Sequence, residues 1–361
     1  MSAALIEHRH PNDDELFGTR FKRLSDGDAS RLVSEAYGIE GTASALTSER
    51  DQNFRIEDGF GRAYVLKVTH PSEDPQVTEF HTKAQMHLME RNPELPIPHL
   101  LPTANGAPVH WHEDAKGCRR AVRLISFLEG VPMHRVAHSS VLRASLGAVL
   151  ARFDVAMLGF DHRASEHNLL WDSRHADRLC SLLPMIESVE DRRLAEHFMQ
   201  RFIENTEPAL HTLRSQVIHN DMNPYNILVD ETQHDAITAV LDLGDMVKAP
   251  LVNDLAVACS YQLDDSKVPI STAIDCVVGY HKVNPLLPEE IALLPELIAA
   301  RLLVTVAITG WRANRYPENR GYILRNNSSA WNGLRNLASA NDEAMTEFFL
   351  KACDSARKEV T

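Results

Sequence analysis

This 361-residue sequence predicts two lobes of the α+β class: a small antiparallel sheet with one long helix, then a larger, mainly helical lobe. Three observations predict it. β-type apolar runs crowd the stretch up to Phe127, interrupted by one long amphipathic segment at 74–92. From about Val131 the apolar residues recur at helical spacings instead. Length also argues for two cores, because a single core stops growing at about 250–300 residues. The division expected is 1–127 and 128–361, with a hinge at about 124–133.

In chain order, residues 28–37 predict a short helix with Leu32, Val33 and Ala36 on one face and Gly38 as its stop. Residues 41–47 and the run opening at Asn53-Phe54-Arg55-Ile56 predict a hairpin joined through Ser48-Glu49-Arg50-Asp51. A second turn, Glu57 to Gly61, leads to a strand at 63–68 that carries Lys67. Within 74–92, Val77, Phe80, Ala84 and Leu88 form the stripe expected to pack on the sheet, and Glu79 falls twelve residues after Lys67. Leu95-Pro96-Ile97-Pro98 breaks that helix, and strands follow at 108–112 and 119–127. The larger lobe is expected to hold helices at 139–158, 190–210, 252–263, 271–282, 289–309 and 341–351, with 160–171 irregular.

Chemistry concentrates at 216–246. His219-Asn220-Asp221 is followed five positions after the aspartate by Asn226, and the run Ala239-Val240-Leu241 delivers Asp242 ahead of Gly244. Moving a γ-phosphoryl group requires an aligned acceptor hydroxyl, a base beside it and metal ions that neutralise the triphosphate. Asp221 suits the base, and Asn226 with Asp242 supply the hard oxygens that Mg²⁺ prefers. The spacing parallels the H-R-D-x-x-x-x-N and D-F-G signatures of protein kinases, with Asn220 for Arg and Leu243 for Phe. Any one of these residues alone would pass as a turn former. Three at this spacing, flanked by the apolar runs Val217-Ile218, Ile227-Leu228-Val229 and Ala239-Val240-Leu241, do not. Asp245 then falls to a supporting or capping role.

On the nucleotide side, Lys67 is either a solvent-facing strand residue or the cation that grips the α- and β-phosphates. Glu79 either suits a helix N-terminus, as any acid would, or holds that lysine in place. The hairpin lacks a glycine-rich loop, so Ser48 and Asn53 would have to offer hydroxyl and amide donors to the phosphates. Phe127 and Leu128 lie where a hinge would pair the adenine edge with main-chain groups. Asp254 is either an N-terminal helix acid or an anchor beneath the catalytic loop.

Other classes are excluded by composition and pattern. A net charge of −13 does not suit a surface that neutralises nucleic-acid phosphates, and it favours a cationic small substrate. The 44% hydrophobic and 24% charged shares are those of an ordinary globular protein. Five scattered cysteines without a C-x-x-C pair predict reduced thiols and a cytoplasmic protein. Residues 1–18 contain no apolar signal core, and the most apolar run, 302–310, is shorter than the ~20 residues of a membrane span. Eighteen histidines show no H-E-x-x-H pattern, and no G-x-S-x-G frames a hydrolase nucleophile. No A-P-E element follows Asp242, which argues against a protein kinase.

With those residues laid out, the chain resembles the aminoglycoside phosphotransferase and choline kinase group, small-molecule kinases with a protein-kinase-like fold. The resemblance rests on Tyr64-Val65-Leu66-Lys67-Val68, Glu79, His219-x-Asp221-x-x-x-x-Asn226 and Leu241 to Asp245, and it runs from about Ser48 to Asn319. Within that group, Arg50 to Phe54, Val240 to Met246, Asn253 to Ala256, and Leu146-Gly147-x-x-Leu150-Ala151 with Trp171-Asp172 are most similar to the hydroxylysine kinases. The resemblance implies transfer from ATP or GTP, with Mg²⁺, to a hydroxyl of a small amine or amino acid, 5-hydroxylysine first; homoserine, choline, ethanolamine and aminoglycosides are the alternatives. It implies Asp221 as base, Asn226 and Asp242 as metal ligands, and Lys67 with Glu79 on the nucleotide phosphates. Asn220 departs from the glycine of many relatives. Charge type and position nominate Arg301, Arg312 or Arg315 for a substrate carboxylate and Asp264 or Asp265 for its ammonium. A nucleotide-binding pseudokinase is the rival outside catalysis, and a monomer or homodimer is expected.

Overall fold

A computed structural model describes residues 23–48, 51–114, 117–263 and 270–360. The chain forms two compact units, one of residues 1–86 with 98–128 and one of 87–97 with 129–361.

The first unit is an antiparallel sheet. Strands β1 (Gly41–Leu46), β2 (Gln52–Asp58), β3 (Ala63–Val68), β4 (Leu100–Leu101), β5 (His110–Glu113) and β6 (Arg119–Ser126) order themselves β1-β2-β3-β6-β4, with β5 also on β6. Strand β2 alternates strictly, and Phe54 and Ile56 join Leu66, Val68, Val122 and Leu124 on one buried face. That face is closed by the helix Asp26–Tyr37 through Ala29, Leu32, Val33 and Ala36. Each large apolar side chain buried there contributes roughly 1.5–3 kcal/mol. The helix starts at a capping box between Ser25 and Asp28 and stops at Gly38, whose φ of 68 suits glycine. The long helix Pro75–Arg91 buries the expected stripe of Val77, Phe80, Ala84 and Leu88, and Asp74 Oδ1 accepts from the Gln76 N–H at its start.

The second unit is mainly helical and carries two small sheets. Strands β7 (Val131–Pro132), β9 (Ile227–Val229) and β10 (Ile237–Val240) form one; β8 (Ser215–Ile218) and β11 (Val247–Pro250) form the other. Helix Ser140–Met157 packs against Ala273–Val283, and two glycines set how closely. A Cβ on Gly147 would stand 1.9 Å from the Cys276 carbonyl oxygen, and one on Gly279 2.1 Å from that of Ala144. The two backbones therefore touch directly.

Helix Pro288–Arg315 runs through the core against Leu251–Ser260, Asn327–Ala338 and Asp342–Val360. It extends six residues beyond the expected end and contradicts the expectation that no segment is long and apolar enough to cross a membrane. An 18-residue window of it reaches a mean hydropathy of 2.1, and 83% of that window is buried inside the protein. The sequence reading stopped at the strictly apolar run, whereas the helix continues through Glu296 and Arg301. Helix Asn327–Ala338 and strand β11 were not expected. The first buries Ala330, Trp331, Leu334 and Leu337 among polar residues, and the second is a four-residue strand ending in proline. All five cysteines are free thiols.

Candidate active site

The loop between β8 and β9 hangs from a single carboxylate. The N–H groups of His219 and Asn220 donate to Asp254 Oδ2 and Oδ1 at 2.7 and 2.8 Å. Asp254 sits in the first turn of helix Leu251–Ser260, so a rigid element fixes the loop. Asn220 takes a φ of 64, which asparagine tolerates better than most residues. His219 Nδ1 accepts the Asp221 N–H at 3.2 Å, which leaves Nε2–H to donate to the Leu241 carbonyl at 3.0 Å. The Leu241 N–H in turn donates to the Asn226 carbonyl at 2.7 Å. Asp242 follows at a φ of 55 and stays exposed.

Asp154 backs this anchor from helix Ser140–Met157. Its Oδ2 accepts from the Tyr280 hydroxyl at 2.6 Å, and no donor reaches Oδ1. Burial first, then the charge of Asp254, pushes the Asp154 carboxyl well above its ordinary range. A proton on Asp154, shared toward Asp254, satisfies both acids.

Asp221 is held on both oxygens. Oδ1 accepts from Arg301 Nη2 at 2.8 Å, and Oδ2 accepts from Asn223 Nδ2 at 2.7 Å and Asn226 Nδ2 at 2.8 Å. Burial pushes its carboxyl up; Arg301 and Asn223 pull against that, and Asp242 adds to it. The side chain remains 19% exposed, so one side of the carboxylate is reachable. Arg301 is 2% exposed, bonds the Trp171 carbonyl at 3.1 Å and lies over the Trp171 ring. The guanidinium nominated for a substrate carboxylate thus directs its donors at Asp221 and Trp171.

The other nominated residues fall as follows. Lys67 stands opposite Asn53 across β2 and β3 and opposite Arg123 across β3 and β6, one row on the sheet face away from the Asp26–Tyr37 helix. Glu79 accepts from Lys83 Nζ at 2.6 Å, and the Ser48 hydroxyl donates to the Asp51 carbonyl. The Phe127 N–H donates to the Ala63 carbonyl at 3.3 Å, and Leu128, half-buried, ends the first unit. Arg312 is buried on the Arg301 helix, and Arg315 lies exposed over Tyr316. Asp264 and Asp265 lie outside the described residues. The structure therefore brings Asp221, Asn226 and Arg301 into contact and adds Asn223, Trp171 and Tyr261, which sequence reasoning missed. Asn223 had a signal in the loop's D-x-N; the partnership of Trp171 with Arg301 had none, because it spans 130 residues.

Asn226 turns its amide nitrogen to Asp221 and leaves its oxygen for a cation, and Asp242 offers a second hard donor. Among the described residues no three His, Cys, Asp or Glu side chains converge on a metal. Both facts fit an ion such as Mg²⁺, which takes one or two protein ligands and completes its shell with water and phosphate.

Comparison with known proteins supports the same class of chemistry. Hydroxylysine kinase of Mus musculus is 25% identical over 361 residues, covering 94% of this chain and 96% of its own. Its counterpart in Xenopus laevis is 26% identical, covering 92% and 94%. Among solved structures, an amicoumacin kinase in complex with AMP-PNP, Ca²⁺ and Ami superposes with a TM-score of 0.63 at 13% identity, covering 84% of this chain and 93% of that one. A microcompartment-associated aminopropanol kinase gives 0.57 at 18% identity, covering 90% and 97%. These likenesses establish the two-lobed protein-kinase-like fold. The profile of the phosphotransferase enzyme family matches residues 42–286, more than half of the chain, and the chain belongs to that family as a small-molecule phosphotransferase.

Proposed function

We propose that the chain transfers the γ-phosphoryl group of ATP or GTP to a hydroxyl of a small amino acid or amino alcohol, with 5-hydroxylysine as the leading acceptor. Similarity to hydroxylysine kinases along nine-tenths of the chain supports that acceptor. The observation that carries the reaction is the Asp221 carboxylate, held on both oxygens yet reachable, in a loop suspended from Asp254.

Asp221 orients the acceptor hydroxyl and takes its proton as the new O–P bond forms and the bond to the departing nucleoside diphosphate breaks. Its raised affinity for protons suits that role. Asn223 and Asn226 fix the carboxylate, and Arg301 keeps it ionised. A divalent cation held by Asn226 and Asp242 would neutralise charge on the triphosphate. Lys67, Asn53 and Ser48 serve the nucleotide phosphates with Glu79, and Phe127 and Leu128 the adenine edge. A monomer or homodimer in the cytoplasm suits five free thiols.

The test is nucleoside diphosphate release with Mg²⁺ and ATP across 5-hydroxylysine, homoserine, choline, ethanolamine and an aminoglycoside. Asp221→Asn serves as control and should lose roughly 10²–10⁴-fold of the turnover. Turnover on 5-hydroxylysine alone supports the full reading, and turnover on another acceptor replaces that substrate. Nucleotide binding with no turnover on any acceptor points to a pseudokinase.

A further inference from the structure

Three segments of the second unit converge on Tyr225, one residue before Asn226 in the catalytic loop. The Tyr225 N–H donates to Asn223 Oδ1 at 2.8 Å, and Asn223 in turn bonds Asp221, so the tyrosine is tied to the base through one side chain. The His134 ring stacks on Tyr225 with centroids 4.1 Å apart, and the His134 N–H donates to the Pro224 carbonyl at 3.1 Å. From beyond the long helix, Arg325 lays its guanidinium 4.6 Å from the Tyr225 ring centre and 4.0 Å from that of Tyr322.

Stacking fixes the plane of a guanidinium while leaving its N–H edge for planar, two-point recognition of a carboxylate. Arg325 is exposed, and among the described residues its guanidinium donates only to the neighbouring Tyr322 carbonyl, from Nη1 at 3.3 Å. Among the described residues no carboxylate pairs with it. Burial first, then Arg135 and in smaller part Arg325, hold His134 below its ordinary value. Arg301 is committed to Asp221, so it leaves this function open.

We propose that Arg325, seated on Tyr225 and Tyr322, binds the carboxylate of the acceptor and restricts the enzyme to α-amino acids rather than simple amino alcohols. The assignment rests on the phosphotransferase reading and deepens it. It requires the acceptor's hydroxyl end at Asp221 and its carboxylate end at Arg325, two groups linked through Asn223 and Tyr225 of the same loop.

Calorimetry separates the two claims. 5-Hydroxylysine and its carboxamide are titrated into the full chain with Mg²⁺ and AMP-PNP, for wild type, Arg325→Gln and Arg325→Lys, alongside steady-state kinetics. Wild type should bind the acid about 10–100-fold tighter than the amide, the worth of a charge-assisted hydrogen-bond pair. Arg325→Gln should erase that preference by weakening the acid alone, with KM for ATP unchanged, and Arg325→Lys should restore part of it. Equal binding of acid and amide by wild type, no binding of either, equal weakening of both in the variant, or a raised KM for ATP overturns the proposal. Discrimination retained in a protein that transfers no phosphoryl group upholds the carboxylate site and overturns the catalytic reading alone.

Discussion

Asp221 is subject to opposing forces, and their balance is measurable. Burial favours its protonated form, while Arg301, a 2.8 Å neighbour, favours the ionised form needed to accept a proton. Replacing Arg301 by Gln removes the lowering influence, so the rise of kcat/KM with pH should move to higher pH, and activity at neutral pH should fall on the order of 10²-fold. Arg301→Lys, which keeps the charge, should return the profile part of the way. A pH profile identical to wild type in the Gln variant would assign Arg301 to packing alone. At this scale the sequence showed residue types and local spacing well: Asp221, Asn226 and Asp242 stand within 22 positions of each other. It could not show that Arg301 faces Asp221, because an arginine in an apolar helix carries no sign of a partner 80 residues away.

The helices were legible through their apolar stripes, and the end of the first through Gly38, whereas its start at the Ser25 cap, ahead of the expected Asp28, was not. What escaped was how they meet. Gly147 appeared in the sequence only as part of a family-like string, and the reason for it is the carbonyl of Cys276 on another helix. Gly147→Ala places a methyl group into that backbone contact and should force Ser140–Met157 away from Ala273–Val283. Overpacking of this kind costs about 1–3 kcal/mol, and contact with backbone rather than a flexible side chain puts it at the upper end. Thermal melting should record a fall of several degrees, whereas Gly310→Ala, where nothing lies within 4 Å, should leave Tm close to wild type. Equal melting temperatures for both variants would show that the two helices part without cost. Strand β11 was illegible because four residues are too few to show alternation, whereas helix Asn327–Ala338 does carry a stripe, Ala330, Trp331, Leu334 and Leu337, that the sequence reading passed over.

For the molecule as a whole, the change of period along the chain predicts a sheet lobe followed by a helical one, and the second compact unit also takes in residues 87–97. The stability of the helical unit is tied to pH through Asp154, which links helix Ser140–Met157 to Tyr280 and to the acid beneath the catalytic loop. Its folded carboxyl titrates well above the ordinary 3.8, so the folded state keeps a proton that the unfolded chain releases. The stabilisation is fully present below that ordinary value and is lost as pH rises through the raised one. Asp154→Asn mimics the protonated acid and removes the titration. Urea midpoints from pH 4 to 8 should decline for wild type and stay flatter for the variant, so that its relative stability grows with pH. Parallel curves would place the proton elsewhere. Asp154→Ala leaves the Tyr280 hydroxyl and Asp254 without their partner and should cost about 1–3 kcal/mol. Nothing in sequence marked Asp154, since an aspartate among apolar helix residues shows its role only once Asp254 is beside it.

Asp254 grips the loop by two main-chain N–H groups, and that choice of handle is indifferent to side-chain identity. Nineteen of the twenty amino acids present the same N–H, so the anchor places almost no demand on what stands at 219 or 220. Position 220 is instead screened by its φ of 64, which glycine meets freely and asparagine meets at small cost. A side-chain change at 220 therefore leaves the anchor intact, whereas His219 is fixed by its ring as well, which accepts the Asp221 N–H and donates to the Leu241 carbonyl. Only proline is barred on both counts, having neither the N–H nor access to that angle.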